Sequence, residues 1–166
     1  MNKQESEKQI KRLVEKYEFL TLVERNKCNE ARTCSEFIIP LFQALGWDIH
    51  NTYSTEVAPE TSVSGKSADY AFSLNGVIKF FLEAKKFSVD LREERWSEQA
   101  VFYAYHKSVP YAVLTDFESI KVYCSEWDES DVERSLILEI SYKDYLTNEK
   151  LWLLSKESIE GGDLDK

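Results

Sequence analysis

Between Glu5 and Val23 the positions Ile10, Leu13, Val14, Tyr17, Leu20 and Thr21 form one stripe among Lys and Glu, which predicts an amphipathic helix. A polar turn over Arg25–Asn29 leads to a second stripe, Cys34, Phe37, Ile38, Leu41 and Leu45, which stops at Gly46. Pro40 lies inside that stripe and predicts a kink or a junction. Residues 47–59 have strand-like composition, and 60–67 read as a polar loop. From Ala68 to Lys85 the pattern is that of a β-hairpin: Asn75-Gly76, flanked by β-branched and aromatic residues, is a strong two-residue turn signal. A helix over about 92–107 carries Trp96, Gln99, Ala100 and Tyr103 on one side. Short strands follow at 111–116 and 119–125, then an acidic loop, 127–135, and a last strand at 136–141. Residues 142–160 are helix-prone and end at Gly161-Gly162. This order predicts an α/β fold, a mixed central sheet flanked by helices. It is read as one domain: an N-terminal helix (1–27), a core (28–125) and a C-terminal strand with a helical extension (126–166).

The run "KFFLEAKK" (79–86) changes the picture from fold to chemistry. An apolar strand ends in Glu83-Ala84-Lys85-Lys86, and strand alternation puts Glu83 and Lys85 on one side. A surface ion pair is the plain explanation. Three further features bear on it. Asp69 lies on the partner strand of the hairpin. Glu30 lies one helical repeat before Cys34, on an apolar stripe where a carboxylate needs a partner. It could equally be a first-turn carboxylate favoured by the helix dipole. Gln99 and Tyr103 lie four apart on the following helix and face the same way. A two-residue loop pairs Leu74 with Val77 and sets Asp69 opposite Leu82. The two acids then face opposite sides unless the loop is longer, a bulge intervenes or Asp69 lies beyond regular pairing. Trp47, Trp96 and Trp152 read as core anchors, and His50 and His106 as structural or exposed.

The formal net charge of −9 argues against a domain that grips nucleic acid unaided, while a site built on carboxylates is compatible with it. Cys28, Cys34 and Cys124 form no CxxC pair and are read as free thiols in a reducing, cytoplasmic setting. They and the two isolated histidines lack zinc-ligand spacing. No apolar stretch is long enough to cross a membrane, and no basic-then-apolar leader opens the sequence.

Asp69, Glu83-x-Lys85 and Gln99-x-x-x-Tyr103, in that order after "EARTCSEFIIPLFQALGWD", resemble the PD-(D/E)XK nuclease superfamily. With "VPYAVLTDFESIKVY" and the closing "LWLLSKESIEGGDLDK", the chain is similar to the N-terminal nuclease domain of type I restriction-enzyme motor subunits and of type IIG restriction–modification enzymes. Ala68 stands where the motif has proline. The resemblance implies a restriction-endonuclease-like core. Asp69, Glu83 and the Ala84 carbonyl become ligands of Mg2+, for which Mn2+ can substitute, with Glu30 completing the acidic cluster. Lys85 becomes the catalytic lysine, and Gln99 and Tyr103 border the site. The implied activity is hydrolysis of DNA phosphodiester bonds within a restriction system. The implied partners are double-stranded DNA, companion methyltransferase, specificity or motor domains, and a second copy for double-strand cleavage. The alternative is a silent nuclease fold that docks DNA or protein. A DNA mimic is disfavoured, because no helix shows a purely acidic face.

Overall fold

A computed structural model describes residues 2–49, 56–59, 68–125, 132–147 and 149–166. The loop at 60–67, His50 and most of the acidic loop lie outside the described residues.

Helix α1 (Lys3–Phe19) opens with a capping box in which Asn2 and Glu5 satisfy each other's backbone N–H groups. It ends earlier than the stripe predicts. Thr21 and Glu24 form a second capping box, so a separate helix α2 (Leu22–Lys27) begins where Leu20 and Thr21 were expected to continue the first. The predicted polar turn is largely inside α2. Helix α3 (Glu30–Thr33) runs through a π-helical turn, Cys34–Ile38, into α4 (Ile39–Ala44). Pro40, in the first turn of α4, explains the junction. It has no N–H to give the carbonyl of Glu36, and Lys16 Nζ donates to that carbonyl at 3.4 Å instead. Gly46, at φ +99°, ends the helical run.

Six strands form one sheet in sequence order: β1 (Val57–Pro59), β2 (Tyr70–Leu74), β3 (Val77–Ala84), β4 (Tyr111–Thr115), β5 (Ser119–Cys124) and β6 (Leu136–Ser141). Neighbours are antiparallel except β3 and β4, which run parallel and are joined through α5 (Glu94–His106). The sheet is therefore mixed and helix-flanked, as the sequence predicts. One core lies between it and the α1/α4 side, with Phe42, Trp47, Phe72, Phe80, Leu82 and Ile120 among its residues. The other lies under α5, with Ala71, Phe81, Ala100, Tyr103 and Leu114. A one-turn helix, α6 (Val132–Ser135), packs on the second core.

The C-terminal stretch departs from expectation. Instead of one helix it forms short 3-10 turns at Tyr142–Asp144 and Leu151–Leu154, then α7 (Lys156–Glu160). Its backbone is committed elsewhere: the Trp47 indole N–H donates to the Leu154 carbonyl at 2.9 Å, and the Lys156 N–H to that of Leu45 at 3.0 Å.

The hairpin carries the feature that matters for the site. Asn75 and Gly76 both have positive φ, 53° and 78°, which suits a type I′ turn. Leu74 pairs with Val77 and Ser73 with Ile78, but Phe72 pairs with Phe80 and Tyr70 with Leu82. Lys79 is the extra residue of a bulge on β3. Without it Phe72 and Phe80 would occupy opposite faces. With it they stack, ring centroids 4.5 Å apart and planes within 14°, in the first core.

Candidate active site

The bulge shifts the register by one residue, so regular pairing ends with Tyr70 opposite Leu82 and Asp69 lies just beyond it. Of the arrangements open from the sequence, two are realised together: a bulge intervenes, and Asp69 lies beyond regular pairing. Asp69 lies just before β2 and finishes the ladder itself. Its N–H donates to the Leu82 carbonyl at 2.9 Å, and its Oδ2 accepts the Ala84 N–H at 2.6 Å. On the other side of the strand, the Lys85 N–H donates to the Thr115 carbonyl at 2.9 Å. The end of β3 is thus clamped by β4 and by a side chain.

Glu83 projects to the α5 side and is 5% exposed. One carboxylate oxygen meets Lys85 Nζ at 3.1 Å; the other, Oε2, is buried without a hydrogen-bond partner among the described residues. The Lys85 ammonium reaches across to Glu30 at 4.0 Å and lies over the Trp96 ring, 4.2 Å from its centroid. Glu30 is the first residue of α3, behind the N-cap Asn29, so the dipole explanation of its position also holds. Asp69, Ala84, Glu30 and Cys34 line an open cleft of about 290 Å³, with Tyr70 and Pro59.

Electrostatics follow from burial. The Glu83 carboxyl is pushed above its ordinary range chiefly by desolvation, which Lys85 opposes and Asp69 and Glu30 reinforce. Asp69 is raised by desolvation against the pull of the Ala84 N–H and Lys85. Glu30 is raised by desolvation and then by Asp69. The three carboxylates therefore feel one another. Cys34 is no nucleophile here: burial pushes its thiol up to about 11.

The structure thus brings Glu30, Asp69, Glu83, Ala84 and Lys85 together. Gln99 is half-buried on α5, three residues after Trp96 and on the same side. Tyr103 is buried in the second core, its ring 4.8 Å from that of Phe81, and helps hold α5 on β3. Trp96 packs half-buried against the second core, in keeping with its reading as an anchor, but Lys85 and Arg95 also lie over its ring, and that place at the site was missed. Its helical spacing to Gln99 was the available signal. Trp47 is a core anchor, fully packed against Phe72 and Phe80.

The donor set suits a hard divalent cation: carboxylate oxygens, one of them buried and without a hydrogen-bond partner among the described residues, with a strand-end carbonyl. The gathering is incomplete, since among the described residues no three His, Cys, Asp or Glu side chains stand close enough to hold an ion. The Lys85 ammonium stands between Glu83 and Glu30.

Among the described residues no helix is long and apolar enough to cross a membrane. No family model matches the chain, and no solved structure matches it. In a match 139 residues long that covers 75% of this chain, it is 34% identical to the type II restriction enzyme and methyltransferase RM.Eco57I of Escherichia coli. It spans 14% of that protein. The similarity relates this mixed α/β domain to a segment of a restriction enzyme.

Proposed function

We propose that this chain is the Mg2+-dependent DNA endonuclease domain of a restriction system, of the PD-(D/E)XK type. The observation that supports it is the end of β3, where the Lys85 ammonium pairs with Glu83 and Glu30, the Asp69 carboxylate takes the Ala84 N–H, and a Glu83 oxygen is left buried without a hydrogen-bond partner among the described residues. A merely structural ion pair gives no reason for three mutually repelling acids. The similarity to a restriction enzyme supplies the context.

Asp69, Glu83 and the Ala84 carbonyl would hold the cation, with Glu30 as a further carboxylate. When bound, Mg2+ would supply Lewis-acid polarisation of the phosphate and a water of lowered pKa. Lys85 would orient the attacking water or stabilise charge developing on the phosphoryl oxygens. Gln99 would border the substrate, while Tyr103 keeps α5 seated on β3. A single site of this kind cuts one strand, so double-strand cleavage needs a second copy or a second visit. Sequence recognition would come from companion domains, in keeping with a net charge of −9.

The second reading, a silent nuclease fold used for docking, is favoured by the incomplete gathering of the acids. Calorimetric Mg2+ and Mn2+ titration separates the two, alongside nicking of supercoiled plasmid. On the endonuclease reading, Lys85→Ala abolishes nicking and leaves metal affinity nearly intact. Asp69→Ala and Glu83→Ala lose both. Metal binding by those two variants equal to the parent's would overturn the endonuclease reading in favour of a strand-end salt bridge.

A further inference from the structure

We infer that Trp96 is a positioning residue for Lys85: its ring fixes where the ammonium sits at the end of β3. The inference rests on the role proposed above for Lys85. A lysine chain has four rotatable bonds and no fixed direction of its own. Here its Nζ is held at three points, Glu83 at 3.1 Å, Glu30 at 4.0 Å and the Trp96 ring at 4.2 Å. Two of the three are carboxylates assigned above to a cation. When they turn to that task, they no longer serve the ammonium. The face of Trp96 is the remaining anchor; it attracts a cation without adding a competing anion, and tryptophan offers the strongest such face.

The residue type supports the same reading. The indole N–H is buried without a hydrogen-bond partner among the described residues. Phenylalanine or leucine would fill the space without orphaning a donor, so packing alone does not call for tryptophan. Arg95 also lies over the ring, 4.3 Å from its centroid, but its exposed guanidinium is neutralised by Glu93 at 2.7 Å. Trp96 stands in the first turn of α5, which the second core seats against β3, so the ring is carried on a rigid element.

The test combines a stability cycle with kinetics on the full chain. Urea midpoints are measured without metal for the parent, Trp96→Leu, Lys85→Met and the double variant. Trp96→Leu is expected to lower the midpoint clearly in the parent and much less in the Lys85→Met background. Equal shifts in both backgrounds would overturn the inference. In plasmid nicking at saturating Mg2+, Trp96→Leu is expected to lower the maximal rate by about tenfold or more. The Mg2+ midpoint should stay unchanged, and Trp96→Phe should restore most of the rate. A shifted Mg2+ midpoint, or no rate loss, would also overturn it. If the parent shows neither nicking nor metal binding, the proposed function fails at that point, and the metal-free cycle alone decides the Trp96–Lys85 coupling.

Discussion

Replacing Lys85 by methionine keeps an unbranched apolar stem and removes the terminal ammonium that lies over Trp96. Glu83 is then left 5% exposed, with one oxygen unpartnered among the described residues and the Lys85 ammonium, formerly at 3.1 Å, gone. It can stay ionised in a poor solvent or take up a proton. Protonation sets the ceiling on the loss: about 1.36 kcal/mol for each pH unit above the ordinary carboxyl value of 4.5. That ceiling is about 3.4 kcal/mol at pH 7, about 4.8 at pH 8 and about 0.7 at pH 5. The parent already bears part of it, because burial raises Glu83 even beside Lys85. The expected loss is therefore about 2–3 kcal/mol at pH 7 and under about 1 kcal/mol at pH 5. The sign follows from the proton: the variant's folded state favours neutral Glu83, so its stability declines as pH rises above 4.5. Urea unfolding with chelator at pH 5, 7 and 8 measures this directly. A loss of equal size at all three pH values would refute the reasoning. So would a Glu83→Gln/Lys85→Met double variant as unstable at pH 8 as Lys85→Met alone.

Other expectations test the surroundings. Asp116 is buried in the β4–β5 turn near Glu118 and Tyr145, and desolvation pushes its carboxyl up to about 7 from 3.8. The penalty for ionising it is absent below pH 3.8, grows with pH and is complete above about 7, at roughly 4 kcal/mol at most. Asp116→Asn keeps an acceptor for the Ser119 N–H and should gain stability over the parent as pH rises from 4 to 8, whereas a pH-independent difference in melts would contradict this. Gly76→Ala meets no neighbour within 4 Å but must adopt φ +78°, so thermal melts should show a loss of about 1 kcal/mol from backbone strain alone. Affinity of the isolated chain for duplex DNA should be weak and fall steeply with salt. Arg92 and Arg95 are already paired to Asp90 and Glu93, whereas Lys86 and Lys107 are exposed and can contribute. Tight, salt-insensitive binding in a fluorescence titration would contradict it.

The local pattern of the sequence determined the hairpin, because Asn75-Gly76 accepts two positive φ angles in succession. It determined the helix stop at Gly46 and the alternation that puts Glu83 and Lys85 on one face. It also announced the mixed α/β order, since a switch in hydrophobic period is visible in any short window. What it left open was decided by residues far apart in the chain. The stacking of Phe72 on Phe80 rewards the Lys79 bulge, and with that register the strand ends so that the Asp69 carboxylate takes the Ala84 N–H. Capping at Thr21 divides the first apolar stripe into two helices, and Pro40 turns part of the second into a π-helical turn. The tie from Trp47 to Leu154 is accompanied by short turns where propensity favoured one helix. Trp96 reaches Lys85 only because α5 seats on the sheet. Periodicity reports which face is apolar; it carries no term for which distant side chain that face will meet, and the site is assembled from such meetings.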